Sequence, residues 1–342
     1  MLANVVLVFL WGGITAYVLL GGADFGAGFW DLLAGSARGG APQRQRIAES
    51  IGPVWEANHV WLIFALVVTW TGFPTVFASI ASTLYIPLTI VAFGIILRGS
   101  AFAFRKTVTD VAVQRVFGAS FALSSVITPF FLGMIAGAIA SGRVPLGVAQ
   151  GNVISSWFNP TSLIGGALAV EVAAYLAAVY LIRDCDRAGD PQMAASFRAR
   201  ALIMGVITGV TALVGIAVLH ADAPLLYSGL THSGLPLVAL STLFGALSLI
   251  LLLRGNHVAV RITAALAVVS VLWAWGVAQY PDILSGTVTV HAAAAPQATL
   301  VVLVITLAVG TALLIPALLL LYGLQSNPTA SSRTRDLPDA HS

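Results

Sequence analysis

The chain has 342 residues, of which 58% are hydrophobic and only 8% are charged, with a mean hydropathy of +0.96. Soluble globular proteins carry about 25% charged residues, so this composition cannot supply a polar surface in water. A lipid bilayer solvates apolar side chains, and the composition therefore predicts an all-α polytopic membrane protein. The net charge of +3 does not indicate nucleic-acid binding, because the cations are confined to a few connecting segments.

Nine segments are apolar enough and long enough to span a bilayer, which takes about 20 residues. They run over about 3–23, 52–71, 76–98, 118–140, 161–182, 200–220, 235–254, 258–279 and 298–322. The first lacks the basic residues that open a signal peptide, so we expect it to be a permanent span. Residues 1–322 then form a single transmembrane domain, and we expect the polar tail 323–342 to be disordered.

The distribution of cations predicts the orientation of these spans. The connections after spans 1, 3, 5 and 7, together with the tail, hold fifteen of the sixteen Lys and Arg residues, and the opposite connections hold only Arg143. The positive-inside rule places the N-terminus in the periplasm and the C-terminus in the cytoplasm, which requires an odd number of spans. Spans 1–4 and 5–8 could form two four-helix units with span 9 as a peripheral helix. The two halves show no convincing sequence repeat.

Ionisable residues inside the first three spans are the main candidates for function. Asp24 lies near the inner end of span 1, and Glu56 and His59 lie three residues apart in the motif GPVWEANHVWLI that opens span 2. Arg98 ends span 3 at the same inner level and could be the counter-ion of one acid. A desolvated Glu56 could take up a proton from the cytoplasm. The alternatives are a helix-anchoring Asp24, a histidine satisfied at a helix start and a snorkelling arginine.

Two further features lie in spans 4 and 5. Ser120, Ser124 and Thr128 are spaced four residues apart, so their hydroxyl groups form one stripe that could hold a water wire or pack helices by hydrogen bonds. Glu171 is an isolated acid near the middle of span 5. The only cysteine, Cys185, excludes a multi-cysteine metal site, and only His59 of the six histidines lies well inside a span. The residues therefore give no case for a metal ligated by this chain.

The sequence resembles subunit II of the cytochrome bd-type quinol oxidases, including their cyanide-insensitive branch. The matching motifs are GADFGAG (Gly22–Gly28), SIGPVWEANHVWLI (Ser50–Ile63), TGFPTVFA (Thr71–Ala78), the Arg98 region, WFNP (Trp157–Pro160) and AQYPDIL (Ala278–Leu284). The second of these is highly specific, and the set extends over most of the chain.

The resemblance implies a heterodimer with a larger subunit I, which carries three haems and the quinol-oxidising site. Such a complex oxidises quinol, reduces dioxygen to water and takes its protons from the cytoplasm. The chain itself would ligate no haem, and a bound quinone or lipid and a small accessory subunit are further implications. The family acid at the position of Glu56 is assigned to the proton route, although many relatives have Asp there. Glu171 departs from the family pattern and inherits no role.

Two other functions remain open from the sequence. A proton-coupled secondary transporter would use Glu56 and Glu171 for its substrate, and it would show broken helices at matching positions of both halves, which the sequence does not reveal. In a purely structural membrane subunit, the polar cluster would only fix the register of the helices.

Overall fold

The chain folds almost entirely into helices. The computed structural model describes residues 1–36, 39–51, 55–105 and 111–326, without the side chains of residues 51, 55, 56, 105, 111, 112 and 321–326. The described helices are α1 (Leu2–Ala16), α2 (Gly22–Leu32), α3 (Ala41–Ile51), α4 (Trp55–Gly72), α5 (Pro74–Thr83), α6 (Tyr85–Arg105), α7 (Val111–Ala140), α8 (Pro160–Arg187), α9 (Pro191–Asp222), α10 (Pro224–Thr231), α11 (Leu235–Arg254), α12 (His257–Gln279), α13 (Val290–Ala293) and α14 (Gln297–Ser326). A short antiparallel hairpin, β1 (Asp282–Leu284) and β2 (Val288–Thr289), follows α12.

Within the described ranges, eight helical segments are long and apolar enough to cross a membrane. A bent pair, α4 with α5, raises the number to nine when it counts as one span. This confirms the prediction of a mostly helical, polytopic membrane protein. The end of the predicted tail, residues 327–342, lies outside the described residues.

The chain between spans 2 and 3 differs from the predicted segments. The predicted span 76–98 begins inside α5 and ends inside α6, because the chain bends by 118° between α4 and α5 and turns again at Leu84. Pro74 begins α5, and proline has no main-chain N–H with which to continue a preceding helix. The run is apolar throughout, so hydropathy alone could not divide it.

The corner between α4 and α5 has a counterpart in the second half of the chain. Phe73 adopts φ −138° and ψ 63° between α4 and α5, and Ala223 adopts φ −141° and ψ 64° between α9 and α10. Each is followed by the proline that starts a short helix. Spans 2 and 6 therefore end in the same backbone geometry.

Aromatic pairs close both corners in the same register. Trp70 and Phe77 have ring centroids 5.8 Å apart, and His220 and Tyr227 have ring centroids 4.8 Å apart. The matched helix breaks that a transporter would need thus exist at these two ends. However, the α4 corner lies about 15 residues, or roughly 22 Å of helix, from Asn58, so it builds no substrate site beside the buried polar residues.

Helix α8 lies at the centre of the largest buried cluster and contacts α2, α7, α9 and α12. Helices α2 and α8 approach closely at Gly26, where an added Cβ would lie 1.8 Å from the carbonyl oxygen of Ala173. Trp30 reinforces this contact by donating from Nε1 to the carbonyl of Ala174 at 2.8 Å. Such close approach requires small residues at the crossing, as is usual for helices in membranes.

At the end where α7 and α9 stop, Asp222 ties three segments together. Arg143 donates two hydrogen bonds to its carboxylate, at 2.6 and 3.1 Å, and the Thr161 hydroxyl donates a third at 2.6 Å. The cation that stood alone in the predicted outer connections is therefore held in a bidentate ion pair.

Candidate functional site

The first span places Asp24 through a change in helix type. Residues Tyr17–Gly21 form a π-helical segment between α1 and α2, and such segments are frequent at functional sites. The Asn58 side-chain amide of α4 donates to Asp24 Oδ2 at 2.6 Å, and a longer contact of 3.5 Å joins it to the carbonyl of Leu20 in the π segment. Asp24 is buried, so this hydrogen bond offsets part of the cost of removing its carboxyl group from water.

Arg98 from α6 completes the buried cluster. Its side chain is only 1% exposed, and its guanidinium donates to the Ser125 hydroxyl at 2.7 Å and to the main-chain carbonyl of Asp24 at 2.8 Å. Its Cζ atom lies 4.6 Å from the centre of the Phe25 ring and 4.8 Å from that of Phe121. Arg98 therefore does not snorkel to the membrane surface. It joins α2, α6 and α7 inside the protein.

His59 lies beside this cluster on α4. Its half-buried imidazole has its ring centre 6.2 Å from that of Tyr17 and 5.7 Å from that of Phe25. The Tyr17 hydroxyl is buried and has no hydrogen-bond partner among the described residues. The main chain of Glu56 begins α4 one turn before His59, but its side chain lies outside the described part, so its position remains a prediction.

The predicted hydroxyl stripe on α7 does not all reach the cluster. Ser120 is half-buried, Ser124 donates to the carbonyl of Phe121 in its own helix, and Thr128 is buried against Gly94 with no partner for its hydroxyl among the described residues. The hydroxyl that binds Arg98 belongs to Ser125, which the sequence analysis missed.

The spacing argument selected Ser124 because it aligns with Ser120 and Thr128. Ser125 lies about 100° further around the helix and faces α2. Its neighbour there is Gly28, where an added Cβ would lie 2.1 Å from the Ser125 hydroxyl. A small residue in the GADFGAG motif was thus the available signal for a close polar contact.

The two adjacent serines allow a matched test. We expect Ser125→Ala to lower the free energy of unfolding by about 1.5–3 kcal/mol, because a buried guanidinium loses a hydrogen bond. Ser124→Ala should change it by less than about 0.5 kcal/mol, since that hydroxyl bonds only within its helix. Thermal unfolding of the purified variants measures both effects, and equal losses would show that the Ser125–Arg98 bond contributes little.

Glu171 belongs to a separate place between α8 and α9. Its Oε1 accepts a hydrogen bond of 2.9 Å from the Thr211 hydroxyl, and its Oε2 is buried without a partner among the described residues. No hydrogen bond or ion pair found in the described part joins Glu171 to the Asp24 cluster. The structure thus leaves this acid outside the site.

A groove of about 530 Å³ runs between α1, α4 and α14. Its lining is mostly apolar, but Trp61 Nε1 and Asn4 Oδ1 are buried there without hydrogen-bond partners among the described residues. Thr311 also lines it. The groove therefore offers polar contacts to a largely apolar molecule.

Together these features define a class of protein: a polytopic helical membrane protein with a buried Asp–Asn–Arg cluster. Among the described residues, no three His, Cys, Asp or Glu side chains come together as a metal site would require. The family model for cytochrome bd terminal oxidase subunit II matches residues 2–325, and the chain belongs to this family. It is accordingly a multi-pass protein of the bacterial plasma membrane.

Individual relatives and a solved structure agree with this assignment. The chain is 32% identical to cytochrome bd ubiquinol oxidase subunit 2 of Bacillus subtilis over 46% of this chain and 47% of the relative. It is 26% identical to cytochrome bd-I ubiquinol oxidase subunit 2 of Escherichia coli over 52% and 48%, respectively. These matches span about half the length of either relative. A chain in the structure of bd oxidase from Geobacillus thermodenitrificans matches with a TM-score of 0.77 and 25% identity, over 94% of this chain and 98% of that chain.

Proposed function

We propose that the chain is a non-catalytic subunit of a terminal quinol oxidase, which oxidises quinol and reduces dioxygen to water in aerobic respiration. Its partner would be a larger subunit I that carries three haems and the quinol-oxidising site, with a small accessory subunit as a further component. The buried Asp24–Asn58–Arg98 cluster, in a chain matched almost throughout by the subunit II family, is the observation that carries this proposal.

The proposed arrangement has the N-terminus in the periplasm, the C-terminus in the cytoplasm and two four-helix units. Contacts of α1 and α2 with α4 and α7, and of α6 with α7, support a first unit. Contacts among α8, α9, α11 and α12 support a second, and α14 lies against α1 and α4 as the peripheral helix. The orientation rests on the cation distribution.

The proposed mechanism is proton uptake from the cytoplasm toward the dioxygen site in subunit I. Glu56 accepts the proton, and His59 and Asp24 pass it on. Asn58 supports this route because it links α4 directly to the carboxylate of Asp24. Arg98 fixes the main chain at Asp24 and supplies a compensating positive charge.

Two parts of the proposal have weaker structural support. Ser120, Ser124 and Thr128 would hold water along the route, and the unpartnered hydroxyl of Thr128 leaves a place for one such contact. The groove beside Trp61 would hold a quinone or lipid, whose acceptor oxygen would satisfy the indole N–H.

Substitution of Glu56 by glutamine tests the proton route. We expect Glu56→Gln to lower oxygen consumption and membrane-potential generation by at least about tenfold per assembled complex, because the amide cannot carry the proton. Glu49→Gln is the matched control, since Glu49 is an exposed acid paired with Arg46 on α3. Complexes are counted by their haem absorption.

Each outcome selects one function. Unchanged turnover in Glu56→Gln would overturn the proton role. Reduced assembly with normal turnover would indicate a purely structural subunit. A chain that purifies alone and colourless would contradict the oxidase and favour the proton-coupled transporter.

A further inference from the structure

Three arginines at one end of α8 and α12 have no ion pair or hydrogen bond with any described residue. Arg183 and Arg187 lie in the last turns of α8, and Arg261 lies in the second turn of α12. Other arginines at this end do have partners: Arg198 donates to the carbonyl of Leu253, and Arg200 donates to Gln43. The three arginines are called the arginine triad below.

The geometry brings the triad to one place. Arg261 lies with its Cζ 4.7 Å from the centre of the Tyr180 ring on α8. Tyr180, Arg183 and Arg187 follow each other at spacings of three and four residues, so they form one stripe along that helix. Arg183 and Arg187 are close enough to repel Arg261 electrostatically. Three cations therefore share a small area without mutual compensation.

The acids around the triad do not neutralise it. Asp184 attracts Arg261 but contributes a single negative charge. Asp186 is paired with His257, and Asp190 caps α9 by accepting from the main-chain N–H of Met193. Three arginines against Asp184 leave an excess of about two positive charges. A ligand that carries one or two negative charges would complement it.

The position of Arg261 selects the kind of anion. It lies on the side of α12 between the buried Val260 and the outward-facing Val258 and Ile262, which are 55% and 60% exposed. Leu266, one turn deeper, is also exposed. An anion that binds the triad would therefore continue onto an apolar surface that faces lipid. A free phosphate would leave that surface unused.

We propose that the arginine triad binds the phosphate of an anionic phospholipid, whose acyl chains lie along the exposed apolar face of α12. Planar guanidinium groups match phosphate oxygens by paired hydrogen bonds, and the Tyr180 ring holds one guanidinium in place. Basic pockets between membrane helices bind lipid headgroups in this manner. The proposal does not depend on the oxidase function.

Native mass spectrometry of the purified full chain, with any subunits that accompany it, tests the site. The probes are cardiolipin, phosphatidylcholine of the same chain length and inorganic phosphate. We expect Arg187→Gln with Arg261→Gln to weaken cardiolipin binding about 25-fold, or about fivefold for each arginine. The control, Arg115→Gln with Arg198→Gln, removes the same charge from exposed residues elsewhere at the basic ends of the helices and should change binding less than twofold.

Further outcomes keep the test decisive. Phosphatidylcholine should bind weakly in all forms, and millimolar phosphate should not displace cardiolipin. Equal weakening in the two double variants would overturn the site, and displacement by phosphate would show a free-anion site instead. If the double variant fails to fold, Arg187→Gln alone, at an exposed position, should still show the fivefold loss.

Discussion

Replacement of Arg98 by glutamine is expected to lower the free energy of unfolding by at least about 3 kcal/mol. The guanidinium is buried and makes two hydrogen bonds as a charged donor, each worth about 1.5–3 kcal/mol. Its loss also leaves the Asp24 carboxyl group in an apolar interior without its nearby positive charge, and an uncompensated buried charge is costly. Thermal unfolding of the purified protein and the yield from membranes measure the effect.

Arg98→Lys separates charge from geometry. The ammonium keeps the positive charge but cannot reproduce the fork that reaches both Ser125 and the carbonyl of Asp24. We expect an intermediate loss of stability for lysine, and a loss below about 0.5 kcal/mol for the exposed control Arg115→Gln. If Arg98→Gln were as stable as that control, the buried cluster would not hold α2, α6 and α7 together.

Gly26→Ala is expected to destabilise the chain by about 3 kcal/mol, the upper end of the range for overpacking. The new Cβ would lie 1.8 Å from a main-chain oxygen of α8, which cannot move aside as a flexible side chain could. Helices α2 and α8 must then separate, and the Trp30 hydrogen bond to Ala174 weakens with them. Thermal unfolding and limited proteolysis report this loss.

Gly22→Ala supplies a control of opposite sign in the same helix. An added Cβ at Gly22 meets no atom within 4 Å. Alanine favours a helix over glycine by about 1 kcal/mol, so this substitution should leave the chain as stable or stabilise it slightly. Similar destabilisation in both variants would mean that glycine serves the π-helical junction rather than the contact with α8.

The sequence was most informative where hydropathy and charge act together. Long apolar runs predicted the spanning helices, because nothing but a helix can satisfy its main chain alone in lipid. The inner level predicted for Arg98 was consistent with its contact to Asp24. By contrast, the division into α5 and α6 escaped detection because both helices are apolar.

Side-chain contacts were harder to predict, as Asn58 and Ser125 show. Asn58 was noted only as part of a motif, yet it reaches the Asp24 carboxylate across two helices. Periodicity favoured Ser124 over Ser125, since it describes one helix and not the neighbour that the helix faces. The depth of a residue can therefore be inferred from one chain, whereas its partner depends on the rotation of two helices.

The corners at Phe73 and Ala223 bear on how this chain originated. Two backbone breaks with the same angles, each followed by proline and closed by an aromatic pair, lie at equivalent points of the two halves. Duplication of one ancestral four-helix segment accounts for this repetition. The first copy then carries the buried Asp24–Arg98 chemistry, and the second has kept the ancestral shape while its interior became apolar around Glu171. Shape has thus outlasted sequence similarity within a single polypeptide.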